Sequence, residues 1–200
     1  MSDLNKGTAI LVTGTPGTGK TTVSRLLTRE LQACYVHPRS LLRRKDVDYT
    51  YDENRRTRTV SLARLRNALH ERAALVNRGL VIDSHIVPEI GASPRLARAI
   101  VLRCDPIVLR RRLENKRWSK SKISENLQAE ILDICLWDAV KSYGWRKVLE
   151  IDTTKRTPTQ VVHWIMKDVH ARQTQKQPKV DWLSSLRRKG ILTRYLEGWN

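Results

Sequence analysis

Short apolar runs that alternate with stretches of helical periodicity make this 200-residue chain an α/β protein, a parallel sheet covered by helices on both faces. Two further observations agree. A glycine-rich turn separates the first apolar run from the first periodic stretch, and hydrophobic residues make up 40% of the chain, enough to offset chain entropy with one core. Thr8 to Thr13 form that first run, and Val23, Leu26, Leu27 and Leu31 follow at helical spacing. Leu62, Leu65, Leu69, Ala73 and Val76 predict a second helix, which stops at Gly79 and leads into a strand at Leu80, Val81 and Ile82. Ala99 to Leu102 reads as another internal strand. Pro106 opens a helix through Leu113, and Ser121 is the expected cap of a long helix carrying Ile123, Leu127, Ile131 and Ile134. Val148 to Ile151 is the last strand, and Thr157-Pro158 caps and starts the helix with Val161, Val162, Ile165, Met166 and Val169.

Two regions break the alternation. Val36 to Thr59 is crowded with Arg39, Arg43, Arg44, Lys45, Arg55, Arg56 and Arg58 and carries little apolar periodicity, as expected of a mobile substrate-side segment. Beyond Arg172, the linker-like QTQKQPK leads to apolar anchors at Val180, Trp182, Leu183 and Leu186 and a basic run, Arg187, Arg188 and Lys189. The chain thus divides into a main domain, residues 1–172, and a basic tail, residues 173–200.

Lysine and arginine total 38 against 20 acidic residues, a net charge of +18 that implies anionic partners unless it reflects a halotolerant or hot-living host. Cys34, Cys104 and Cys135 are far apart and odd in number, with no CxxC pair, so a reducing compartment is expected. No leader-like amino terminus and no run of about 18 apolar residues is present, and a soluble cytoplasmic protein is expected.

Gly14-Thr15-Pro16-Gly17-Thr18-Gly19-Lys20-Thr21 fits GxxxxGK(S/T) at every constrained position, after a predicted strand and before a predicted helix. In this context the motif marks a P-loop NTPase. Glycines let the backbone curl so that successive amides and the helix amino terminus point at one anion. Lys20 would reach the β- and γ-phosphates of ATP, Thr21 would ligate magnesium, and Thr22 could hydrogen-bond the α-phosphate. The run Val81-Ile82-Asp83-Ser84-His85 puts an acid and an imidazole at the carboxyl end of a strand, where ligands collect in parallel sheets. Asp83 is a candidate magnesium ligand, usually through water, and His85 a candidate for positioning a water or a phosphoryl acceptor. Arg110, Arg111, Arg112, Lys116, Arg117, Lys120 and Lys122 surround a non-periodic break between two helices. Phosphoryl transfer spreads negative charge that cations must stabilise, so this cluster is a candidate lid.

GTPGTGKTT, YDEN, VIDSH and the block VLRCDPIVLRRRLENKRWSKSKISENLQAEI together resemble the adenylate kinases of the isoenzyme-six type. That family includes archaeal adenylate kinases and eukaryotic ATPases that assist small-ribosomal-subunit maturation. The resemblance spans roughly Ala9 to Asp168. It implies an adenylate-kinase fold with a monophosphate-binding segment at about His37 to Val60 and a short lid around Asn115 to Ser124. It also implies reversible phosphoryl transfer from ATP to AMP alongside ATP hydrolysis. Carried over by position, the ATP contacts fall on Gly17, Gly19, Lys20, Thr21 and Thr22, and the Asp-x-His pair on Asp83 and His85. Where the family's lid reads Arg-Gly-aromatic, this chain has Lys116-Arg117-Trp118, and lysine lacks the bidentate fork of arginine. Ser61 stands where an acidic residue is frequent.

Partners implied by the resemblance are AMP as acceptor, a small-subunit ribosomal protein and rRNA, with no membrane. The basic clusters suit RNA phosphates, although no RNA-reading fold signature is present. Trp182, Tyr195 and Trp199 could stack on bases, but tryptophan in an amphipathic tail more often packs on its own protein. Competing functions are a nucleotide-driven ribosome-assembly switch and a kinase for another acceptor, since fold never fixes the acceptor.

Overall fold

A computed structural model of the chain describes residues 4–41, 50–52, 57–59, 62–85, 95–171 and 177–197. Arg43 to Lys45, Arg55, Arg56, Ser61 and Trp199 lie outside these residues. Five strands form one parallel sheet: β1 (Thr8–Gly14), β2 (Cys34–Val36), β5 (Leu80–Asp83), β6 (Arg95–Arg103) and β7 (Val148–Asp152), in the order β2-β5-β1-β6-β7. From the central β1 the chain goes to one side for β2 and β5 and then to the other for β6 and β7. The strand order therefore reverses beside the carboxyl end of β1, which is where such sheets bind ligands. A separate antiparallel pair, β3 (Thr50–Asp52) and β4 (Thr57–Thr59), falls in the arginine-rich region, which also carries the short α2 (Pro38–Leu41).

Alternation along the strands divides the core into two layers, because successive residues of a strand face opposite sides. Ile10, Val12, Val81, Ile100 and Leu102 meet Val23 and Leu27 of α1 (Lys20–Glu30) and Val161 and Ile165 of α7 (Pro158–Ala171). Ala9, Leu11, Ile82, Ala99 and Val101 meet Leu65 and Leu69 of α3 (Leu62–Leu75) and Leu136 and Ala139 of α6 (Ile134–Tyr143). Each fully buried leucine or isoleucine contributes about 1.5–3 kcal/mol, so the layers hold the strand ends in place. Thr157 and Gln160 cap α7 reciprocally, each side chain accepting the other residue's backbone N–H.

A third cluster lies outside the sheet. Leu109 and Leu113 of α4 (Pro106–Glu114) and Ile123, Leu127 and Ile131 of α5 (Lys120–Ile131) pack on Leu186 of α8 (Trp182–Arg188) and Tyr195 of α9 (Leu192–Leu196). The tail therefore docks on the two helices that flank the candidate lid. Trp182 is in this docked segment, and its indole N–H donates to Glu130 Oε1 at 3.0 Å.

Two helix assignments require correction. The cap of α5 is Ser119, not Ser121: the Ser119 side chain accepts from Lys122 N, and the helix starts at Lys120. The long helix expected to reach Ile134 is two helices, because Asp133 takes a left-handed conformation with φ 57° and pairs its carboxylate with Arg103. A buried guanidinium on β6 overrides a helical apolar pattern that would otherwise run on.

Candidate active site

The loop between β1 and α1 is built on backbone that only glycine fits. Gly14 has φ 133°, and a Cβ there would lie 2.3 Å from the carbonyl oxygen of Leu102. Gly17 has φ 97°, with Leu109 Cδ1 2.8 Å from the position of a Cβ. Just past Gly17, Thr18 folds back, its N–H and hydroxyl both donating to Thr15 O. Gly19 is the N-cap of α1, and no side chain caps the helix, so first-turn N–H groups stay available to an anion.

Lys20 closes the loop. Its Nζ donates to Gly14 O at 2.8 Å and Thr15 O at 3.2 Å, and the residue is buried. Burial holds its pKa below the ordinary lysine range against the opposing pull of Cys135, Asp83 and Glu130, and Lys116 adds to the lowering. Beside it the Thr21 hydroxyl donates to Asp83 Oδ2 at 2.7 Å. The Tyr35 hydroxyl donates to the same oxygen at 2.8 Å. Burial, then the hydrogen bond to Asp83, pushes the Tyr35 phenol up to about 12, and the Arg25 guanidinium lies 5.8 Å from its ring centre. Asp83 itself is only 1% exposed.

One cavity borders the phosphate loop and another borders Tyr35. One of about 250 Å³ runs along the loop, lined by Gly17, Thr18, Gly19, Thr22, Arg112, Thr153, Arg156 and Pro158. Thr153 ties its floor together, donating to Thr18 O at 3.0 Å and Arg103 O at 2.8 Å. The other, of about 260 Å³, lies toward β2 and α3 and is lined by Tyr35, Val36, Ser40, Leu41, Ala68, Glu71, Arg72 and Leu75.

The structure thus brings Gly14, Gly17, Thr18, Gly19, Lys20, Thr21 and Thr22 together with Asp83. His85 is exposed two residues past Asp83. Lys116 and Arg117 are exposed in the turn between α4 and α5, where Arg117 has a left-handed φ of 56°. Three contributors were not singled out from the sequence. Thr153 and Arg156 follow the last strand, where the strand-end rule could have found them. Tyr35 sits on a three-residue strand too short to show periodicity.

The donors fit a magnesium nucleotide. A hydroxyl and a carboxylate are the hard oxygens that magnesium shares with substrate phosphates, and the uncapped loop supplies N–H groups for those phosphates. Among the described residues no cluster of three or more His, Cys, Asp or Glu could hold a metal ion. No helix among them is long and apolar enough to cross a membrane.

A parallel sheet whose central strand opens into this loop defines a P-loop nucleotide-binding protein of the kinase type. A family model described as "AAA domain" matches residues 10–133. A protein of Natronomonas pharaonis named "Putative adenylate kinase" is 35% identical over 156 residues, 78% of this chain and 86% of that protein. One of the same name from Pyrococcus furiosus is 32% identical over 173 residues, 86% of this chain and 90% of that protein. A gluconokinase from Sinorhizobium meliloti 1021 shares the fold, with a TM-score of 0.55 at 16% identity over 84% of this chain and 94% of that one. The chain belongs to the P-loop family that includes these archaeal proteins.

Proposed function

We propose that this chain is a nucleoside monophosphate kinase that moves the γ-phosphoryl group of ATP reversibly onto AMP, with some loss of that group to water. The supporting observation is the Thr21–Asp83 contact, with one cavity along the adjoining phosphate loop and another walled by Arg72 and by Tyr35, whose hydroxyl reaches the same carboxylate. A donor nucleotide in the first and an acceptor in the second would meet at this pair. An oxygen of the acceptor phosphate then bonds to the γ-phosphorus, the bond to the β–γ bridging oxygen breaks, and both nucleotides leave as ADP. Magnesium, when bound, supplies charge neutralisation to the phosphates. The chain's part is positional and electrostatic. Loop amides hold the β-phosphate, Lys20 gives up Gly14 O and Thr15 O for phosphate oxygens, and Thr21 and Asp83 hold the metal side. Lys116 and Arg117 close over the transferred group, and His85 orients the acceptor or a water.

The acceptor side is tested by steady-state kinetics with AMP, CMP, GMP and UMP. AMP is expected to give the highest kcat/KM, and Arg72→Ala to raise the KM for AMP several-fold while leaving that for ATP in place. Absence of turnover on every monophosphate would overturn the proposal. The net charge of +18 favours a second reading, in which the nucleotide state governs affinity for a small-subunit ribosomal protein and rRNA. Equal affinity of the ATP and ADP forms for that partner would exclude it.

A further inference from the structure

We propose that Tyr35 is a positioning residue, fixing the orientation of the Asp83 carboxylate from the wall of the acceptor-side cavity. This rests on the assignment of Asp83 to the metal side made above. Tyr35 lies on β2, paired with Val81 of β5, so Asp83 is two residues further along the neighbouring strand, offset by about 6.6 Å along its axis at the ordinary rise. The long phenol side chain spans that offset and donates to Oδ2 at 2.8 Å. Thr21 approaches the same oxygen from α1 at 2.7 Å. Two hydroxyls from two different elements on one carboxylate oxygen set the rotation of the group and so the direction of its other oxygen. The carboxylate is buried, so water is poorly placed to substitute for either donor. The two donors are not equivalent. If the Thr21 oxygen engages a metal ion, the hydrogen bond it shares with Asp83 must rearrange, and Tyr35 keeps the carboxylate in place. Because Tyr35 also lines the cavity with Ala68, Arg72 and Leu75, the residue that holds Asp83 is part of the wall an acceptor would touch.

The test is calorimetric titration of ADP into the full-length parent, Tyr35→Phe, Asp83→Asn and the double variant, each with a chelator and over a magnesium series. Tyr35→Phe keeps the half-buried ring, and thermal unfolding run alongside reports on the fold. The expected result is a magnesium requirement for ADP binding raised about ten-fold in Tyr35→Phe, the usual scale for a residue that orients a metal ligand. The double variant should lose no more than Asp83→Asn, because Tyr35 acts through that carboxylate. A parental magnesium requirement in Tyr35→Phe, beside a lost one in Asp83→Asn, would overturn the role of Tyr35 and leave the site intact. Losses that add in the double variant would also overturn it. A parental requirement in Asp83→Asn would instead remove the assignment on which the proposal rests.

Discussion

The Thr21 hydroxyl donates to Asp83 Oδ2 at 2.7 Å, joining the first turn of α1 to the carboxyl end of β5 across 62 positions of chain. Strand order makes the contact, because β5 is the immediate neighbour of β1 in the sheet. Asp83→Asn keeps the shape and a hydrogen-bonding oxygen but removes the charge. Turnover with magnesium and ATP is expected to fall by about 10–100-fold with little change in the thermal midpoint, as measured by kinetics and calorimetry on the same preparations.

The turn between α4 and α5 places its two cations unequally. Arg117 holds a left-handed φ of 56°, at the position where the resembled lid pattern has glycine. That conformation costs a side-chain-bearing residue about 1–2 kcal/mol, part of which glycine's chain entropy offsets. Arg117→Gly is expected to raise the thermal midpoint by about 2 °C. Lys116 is close enough to Lys20 to lower its pKa. Lys116→Ala should therefore reduce kcat more than Arg117→Ala, and Lys116→Arg should raise it by restoring a planar fork. Equal losses in the two alanine variants would contradict the assignment.

Local signals are legible in the sequence. The loop from Gly14 to Thr21 and the acid at Asp83 are contiguous motifs next to apolar runs, and each sits where its neighbours place it. Contacts that depend on which strands become neighbours are not legible. Tyr35 reaches Asp83 only because β2 pairs with β5, and Thr153 reaches Thr18 only because β7 lies beside β6. The break at Asp133 has the same origin, an ion pair with Arg103 formed 30 positions away, which a helical pattern cannot register. Within the tail, Leu186 was legible as an apolar anchor, but not the site it fills on α4 and α5.

Arg103 is the most consequential buried charge. It is 1% exposed and pairs with Glu130 at 2.8 Å, Glu150 at 2.6 Å and Asp133. Backbone N–H groups of Lys179 and Val180 complete Glu150. Arg103→Leu strands buried carboxylates and is expected to cost about 3–5 kcal/mol, seen as a lower urea midpoint. Trp182→Phe removes one hydrogen bond to Glu130 and should cost about 1–3 kcal/mol, with Trp182 read as a joint between tail and domain. An unchanged midpoint in Trp182→Phe would mean that this hydrogen bond adds nothing to stability.

Cys104 is fully buried, and burial pushes its thiol up to about 12 from an ordinary value of 9.0. The native state then keeps a proton that the unfolded chain gives up, so stability falls as pH rises through that window. Below about 9 the contribution is fully present, and it is lost progressively toward 12. Denaturant midpoints of the parent are expected to decline more steeply over this range than those of Cys104→Ala, and parallel slopes would contradict the effect.

Transfer of the γ-phosphoryl group to AMP at this loop is checked by following ADP and inorganic phosphate separately. Purified protein is supplied with ATP and magnesium, with and without AMP, beside Lys20→Ala. AMP is expected to accelerate ATP consumption, with ADP rather than free phosphate as the added product, and both activities are expected to collapse in Lys20→Ala. ATP consumption indifferent to AMP, with every γ-phosphate released as inorganic phosphate, would contradict it.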